Sequence, residues 1–266
     1  MTVKQILDFV NFIANKEQQG QTLRPADFNN LLSGFNVKVF NDELMGVEVM
    51  AKAQGMPMYT ALYNASSLKK FRKFGLLTTD ALGVAILPND YVHYTSVVGK
   101  YNGAMRPIDV ISEDEMVIRR TSMVEIPLTL KPACTLYGTT VRFFPNDMGH
   151  GVNQAVELSY IKMPVTPNYD YCISVDTGLE IFMPIGSYLN TNGLGQLVMY
   201  LPDGTVFATN VEHDIAQGVQ PYPSQTVELE WEERFHMIFV KLLLDAIGIN
   251  LKDEQIRSYQ REAATK

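Results

Sequence analysis

Residues 231–248 read WEERFHMIFVKLLLDAIG, and their periodicity decides the first half of the fold. Trp231, Phe235, Ile238, Phe239, Leu242, Leu243, Ala246 and Ile247 recur at three- and four-residue spacing, which is the stripe a helix presents to a core. Gly248 stands where a left-handed residue closes a helix at its C-terminal end. The other end of the chain has the same character. Val3, Ile6, Leu7, Val10, Ile13 and Ala14 form one apolar face, Thr2 and Gln5 have the spacing of a capping box, and Gly20 is a plausible stop. Pro25 suits the first turn of a second helix, because its missing N–H needs no partner there. Phe28, Leu31, Leu32, Phe35 and Val39 carry the periodicity on towards Ala53, with a break expected at Gly34 or Gly46 before Gly55-Met56-Pro57 ends it.

The middle reads differently. Met123–Leu130, Thr135–Tyr137, Val141–Phe144 and Ala155–Met163 are rich in β-branched and aromatic residues and are punctuated by Pro, Gly and Asn, so strands are expected. Asp203-Gly204 suits a hairpin turn, since both positions tolerate positive φ. Leu87–Asp90 reads as a turn, and Ser112 with Glu115 as a capping box before a short helix. Asp253 would cap a last, mostly polar helix over 254–264. The expected fold class is α+β. A helical domain of residues 1–120 and 223–266 is expected to carry a β-rich insertion at 121–222.

Composition narrows the function. The chain has 266 residues and a formal charge of −7 at pH 7, from 22 Lys and Arg against 29 Asp and Glu. Tight binding to a phosphate backbone needs clustered cations, so nucleic-acid grip is disfavoured. Cys134 and Cys172 have no zinc-site spacing and read as two buried free thiols of a reducing compartment. Asp8 and Asn11 interrupt the N-terminal apolar run, which argues against a signal peptide. No apolar run approaches the roughly 20 residues of a membrane span.

Chemistry-bearing motifs are sparse. His93, His150, His213 and His236 show no metal-binding pairing. His236 lies beside an apolar helix face and reads as a packed histidine. His150 and His213 have acidic neighbours in Asp147 and Asp214, but no nucleophile elbow accompanies them. Gly149-His150-Gly151 and Gly193-Leu194-Gly195 match no phosphate loop and read as turns. Glu113-Asp114-Glu115 opens a helix, where carboxylates favour the dipole. Glu228, Glu230, Glu232 and Glu233 crowd the start of the C-terminal helix and suggest exposure, or a channel wall facing a negative polymer. No catalytic residue, metal ligand or cofactor is expected.

Residues expected at interfaces are of three kinds. Lys69, Lys70, Arg72 and Lys73 alternate with Phe71 and Phe74 and form the basic-aromatic cluster of the chain. Tyr169 and Tyr171 combine buried area with a hydroxyl that finds a partner. Trp231 is expected to anchor its helix near a subunit boundary, and Ile256 and Tyr259 lie in the polar tail, 252–266, expected to dock on a partner.

A set of stretches in order carries a family resemblance. They are Ile13–Gly20, Leu23–Asn29, Arg106–Ser112, Tyr160–Tyr171, Val227–Glu233 and Gly248–Leu251. Together they resemble the head-to-tail connector or neck ring proteins of Bacteroidetes tailed phages, including crAss-like phages. The resemblance spans most of the chain apart from about 175–222, which is longer than the family pattern needs. Its specificity lies in the ordered set, since none of the stretches is catalytic.

The resemblance implies a virion structural protein of the head–tail neck, assembled in the host cytoplasm. Such proteins form rings, usually twelve-fold, that stack under the portal and contact other neck and tail proteins. Genomic DNA passes through the channel without specific binding. Twelve copies at −7 each would carry −84, and a negative lumen repels DNA and lets it slide. The alternative is a tail baseplate or fibre-attachment binding module, which would show a concave aromatic surface within 155–222. An enzyme would instead gather His150 or His213 with a carboxylate and a nucleophile.

Overall fold

The computed structural model describes residues 1–16, 22–101, 104–122, 124–128, 130–145, 155–213, 221–249, 255 and 259. The fold is α+β, with helices at both ends and strands between them. The helices are α1 (Val3–Lys16), α2 (Pro25–Gln54), α3 (Met58–Asn64), α4 (Glu113–Thr121) and α5 (Glu233–Ala246). The chain forms two compact units. One is Met1–Asn41 with Val165–Lys266, and the other is Asp42–Pro164. This is not the division expected at 121–222. Strands already begin at Arg72, and residues 165–223 share their unit with the terminal helices.

The 42–164 unit holds β1 (Arg72–Thr78), β2 (Val84–Ile86), β3 (Tyr91–Tyr101), β4 (Ala104–Pro107), β5 (Asp109–Val110), β6 (Ala133–Tyr137), β7 (Thr140–Phe144) and β8 (Ala155–Lys162). They form two four-stranded sheets, β1-β8-β3-β4 and β2-β7-β6-β5, antiparallel except for the β5–β6 pair. Their inner faces meet in one core, to which Leu77 and Leu158 come from the first sheet and Val141 and Phe143 from the second. At one edge β1 passes to β2 through a turn, where Asp80 Oδ1 accepts the N–H groups of Leu82 (2.9 Å) and Val84 (2.8 Å). At the other, β4 passes to β5 through Ile108.

Of the strand expected over Met123–Leu130, the described residues 124–128 and 130 form no named strand. Leu128 makes a lone bridge to Lys131, Ser122 Oγ accepts the N–H groups of Val124 and Glu125, and Pro127 has no N–H to give a ladder.

The other unit combines α1, the start of α2 and α5 with β9 (Tyr171–Ser174), β10 (Glu180–Phe182), β11 (Tyr188–Thr191), β12 (Leu197–Tyr200), β13 (Val206–Thr209), β14 (Val211–Glu212) and β15 (Tyr222–Pro223). The sheets are β10-β9-β14 and β13-β12-β11-β15, around a core that includes Cys172, Met183, Leu189 and Met199. The Asp203-Gly204 turn joins β12 to β13, with Gly204 at φ +82°.

Local expectations hold in detail. Thr2 N–H donates to Gln5 Oε1 at 2.8 Å and Gln5 N–H to Thr2 Oγ1 at 3.1 Å. Ser112 Oγ accepts from Glu115 N–H at 3.2 Å. Gly248 has φ +83°, and the Ile249 N–H to Leu244 carbonyl bond of 2.8 Å completes a Schellman cap. Two details differ. Neither Gly34 nor Gly46 interrupts α2. The buried face of α5 is also rotated, so that His236, Val240 and Leu244 point inward while Ile238 is exposed.

Candidate functional site

The most chemically equipped cavity lies in the unit formed by both termini and has a volume of about 230 Å3. Asp170 immediately precedes β9 and His213 immediately follows β14. The antiparallel pairing of Glu212 with Ile173 brings the two side chains together. His213 Nε2 donates to Asp170 Oδ1 at 3.0 Å, and both side chains are nearly buried. Asp170 Oδ1 also accepts Tyr171 N–H at 3.1 Å, and Oδ2 accepts Gln225 N–H at 2.7 Å. Asn29 on α2 closes the same wall, accepting Tyr169 N–H at 2.7 Å and donating to the Tyr169 carbonyl at 2.9 Å.

An imidazole held by a carboxylate is two-thirds of a nucleophile-activating triad. Among the described residues the third part is missing from the cavity lining, which holds no Ser, Thr, Cys or Lys. Its hydroxyls are the phenols of Tyr169, Tyr171 and Tyr222, and burial raises the phenol of Tyr169 and that of Tyr222. Both oxygens of Asp170 and both polar atoms of Asn29 are engaged by their own chain. The network fastens β9, β14 and the 225–226 segment to α2, which is structural work.

A second cavity, of about 430 Å3, lies in the 42–164 unit between Tyr59, Tyr94 and the Pro107–Ile111 segment. Its cation, Arg119, is taken up by Glu115 (2.6 Å) and Asp109 (3.3 Å). Among the described residues no group of three His, Cys, Asp or Glu side chains has a metal-binding arrangement, and no helix is long and apolar enough to cross a membrane.

The basic cluster divides by role. Lys69 and Lys70 are exposed on a 3-10 turn ahead of β1. Arg72 is inward and half-buried. Its Nη2 donates to the carbonyls of Leu62 (3.2 Å), Tyr63 and Ala65 (3.0 Å), and its guanidinium lies over the Tyr63 ring. It therefore caps α3, favouring the negative end of the helix dipole, and is not a surface cation. Lys73 Nζ meets Asp90 Oδ2 at 2.8 Å while Tyr160 donates to Asp90 Oδ1 at 2.9 Å. The hydrogen bond it donates to Asp90 holds the Lys73 ammonium above its ordinary value.

Other expected site residues also resolve. Trp231 and Tyr169 are buried inside their own unit, at 1% and 6% exposure, so neither offers a face to another subunit. Tyr171 is half-buried beside the His213 cavity. Tyr259 is half-buried, with Lys16 Nζ 5.6 Å from its ring centre. Ile256 and most of 252–266 lie outside the described residues, as do His150, Asp147 and Asp214.

The acidic run before α5 is not a channel wall throughout. Glu228 accepts Val3 N–H at 2.6 Å and Glu230 accepts Val165 N–H at 2.9 Å, so both tie the unit together. His236 is packed as expected. Its Nδ1 accepts from the Met1 amino group at 2.9 Å and its Nε2 donates to the Trp231 carbonyl at 3.2 Å. Gly193 and Gly195 shape the β11–β12 hairpin, where Asn192 Oδ1 accepts Leu194 N–H and Gln196 N–H.

Sequence reasoning missed Asp170, Asn29 and Asn36. A visible signal existed for the last two: they stand seven residues apart beside the apolar stripe of α2. No protein-family model matches the chain, and no curated protein is significantly similar to it.

Proposed function

We propose that this chain is a structural virion protein, a ring-forming head-to-tail connector below the portal that joins capsid to tail and forms part of the DNA channel. One observation supports it above the others. Among the described residues, the 42–164 unit, less than half of the chain, carries most of the large apolar side chains left in solvent, with Val124 at 90%, Ile86 at 74% and Leu76 at 63% exposure. Apolar surface that extensive is what an assembly partner covers. The ordered resemblance to phage neck proteins supplies the kind of assembly, and the acidic composition suits a channel that DNA slides through.

The test is genetic. Particles built without this chain should fill their heads with DNA and fail to acquire tails. Normal tailed particles would overturn the proposal.

One observation favours the alternative of a baseplate or fibre-attachment binding module: the tyrosine-lined cavity falls largely within 155–222. Its main polar groups are already engaged with one another, so it ranks second.

A further inference from the structure

β3 outruns its partner β4. The two pair only from Val98 to Tyr101, and one further bond runs from the Ile108 N–H to the Val97 carbonyl at 2.9 Å, where the chain leaves for β5 in the other sheet. Among the described residues no strand covers the edge of β3 before Val97, and the cavity of about 430 Å3 lies against it. Thr95 stands at this edge as the extra residue of a β-bulge, since the pairing with β8 steps from Tyr94–Tyr160 directly to Ser96–Ser159. A bulge re-aims a side chain. Thr95 lines the cavity and is 8% exposed, and its hydroxyl takes no hydrogen bond among the described residues. A buried hydroxyl without a partner calls for a group that supplies one.

The walls of the cavity define that group. Tyr59 of α3 and Tyr94 of β3 give it two stacked rings, with centroids 6.3 Å apart and planes 27° from parallel, and Tyr59 is 43% exposed. Val97 and Ile108, both buried, add an apolar floor. Arg119 is held between Glu115 and Asp109, so one cation faces two carboxylates and the wall favours no anion. Asp109 engages that cation through Oδ2, which leaves Oδ1 of a largely exposed carboxylate as an acceptor. We propose that this cavity binds one ring of an uncharged saccharide. A pyranose has a face of C–H groups that stacks on a tyrosine ring, and a rim of hydroxyls that both donate and accept. Those hydroxyls satisfy the Thr95 hydroxyl and Asp109 Oδ1 together. An aromatic-rich cavity with a few convergent polar groups is the ordinary form of a small-ligand site, and this one has room for a single ring with its substituents. An apolar side chain of a partner would fill the same space and leave the Thr95 hydroxyl unpaired, and a phosphate would meet the Asp109 carboxylate.

The experiment is ligand-observed saturation-transfer NMR on the full chain. The probes are the methyl glycosides of glucose, galactose, mannose and N-acetylglucosamine, with N-acetylphenylalaninamide standing for a partner's side chain. At least one glycoside should bind, with a dissociation constant in the millimolar range that a ligand of one ring reaches. Thr95→Val keeps the shape and removes the hydroxyl, and should weaken that binding about fivefold. Tyr59→Ala removes the stacking face and should weaken it about tenfold. Each variant is first shown to melt like the wild type. Glycoside binding that either variant leaves unchanged would place the sugar elsewhere and overturn the proposal. Failure of every glycoside to bind would overturn it too, as would binding of the phenylalanine amide alone, which would make the cavity a socket for a partner's side chain. The ring reading does not depend on these results, so the two fail separately.

Discussion

The indole Nε1 of Trp231 donates to Asn36 Oδ1 at 2.7 Å, joining residues 195 apart in sequence, and both side chains are buried. Asn36 Nδ2 in turn donates to the Val165 carbonyl at 3.0 Å. One buried amide thus ties α2, the strand-rich segment and the start of α5 into a single unit. A buried polar group that loses its partner costs its full desolvation.

Asn36→Ala is therefore expected to lower stability by about 1–3 kcal/mol, because the buried indole N–H is stranded, whereas Val165 is exposed enough for water to replace its partner. Trp231→Ala should cost about 3–5 kcal/mol through the cavity it leaves. Denaturant unfolding of both single variants and the double variant checks this. Losses that simply add would mean that the two residues are not coupled.

Much of the fold was legible in the sequence, for identifiable reasons. The Thr2–Gln5 capping box, the Gly248 cap and the Asp203-Gly204 hairpin depend on near neighbours and form, while at Ser112 only the hydroxyl half of the box forms, because the Glu115 carboxylate is taken by Arg119. What depends on distant partners was not legible. The Lys69–Lys73 cluster reads as a basic interface because its charges are conspicuous, yet Arg72 turns inward to the end of α3 and Arg72–Thr78 is an edge strand. Residues 123–130 have strand composition, but Pro127 and Ser122 divert the backbone. His213 has Asp214 beside it in sequence, while its actual partner, Asp170, is brought by β9–β14 pairing from 43 residues away. Nothing local announces that.

Asp90 gives a pH test. Burial alone would raise its carboxyl, but the hydrogen bonds from Lys73 and Tyr160 together outweigh it and hold it below the ordinary aspartate value. A lowered folded value stabilises the fold above the unfolded value of about 3.9 and is lost as pH falls through the folded value. Wild type should therefore exceed Asp90→Asn in unfolding free energy at pH 6, with the gap closing at pH below about 4. A constant gap across the series would contradict this.

The two cysteines are free and buried, one in each unit. Burial, with Asp109 nearby, pushes the Cys134 thiol up to about 12, and burial, with Asp170 nearby, pushes Cys172 up to about 11. A raised folded value stabilises the fold below the unfolded thiol value, about 8.5, and that contribution is lost as pH climbs towards the folded values. Native protein at pH 8 should resist thiol reagents at both positions, and denatured protein should react at both. Rapid labelling of the native chain, read by mass spectrometry, would count against this packing.

Thr135 is 1% exposed and its hydroxyl has no hydrogen-bond partner among the described residues. Thr135→Val keeps the shape and removes the stranded hydroxyl, so it should stabilise the fold by about 1 kcal/mol. Thermal melting reads this directly. A drop in melting temperature would show that the hydroxyl is satisfied in solution.

The ring proposed for this chain stands on the path of the DNA. Imaging the protein in its native particle, with copies counted around the particle axis, tests it most directly. Twelve copies around a channel wide enough for duplex DNA is the expected result. Three or six copies standing away from the channel would contradict it and point to the attachment module instead.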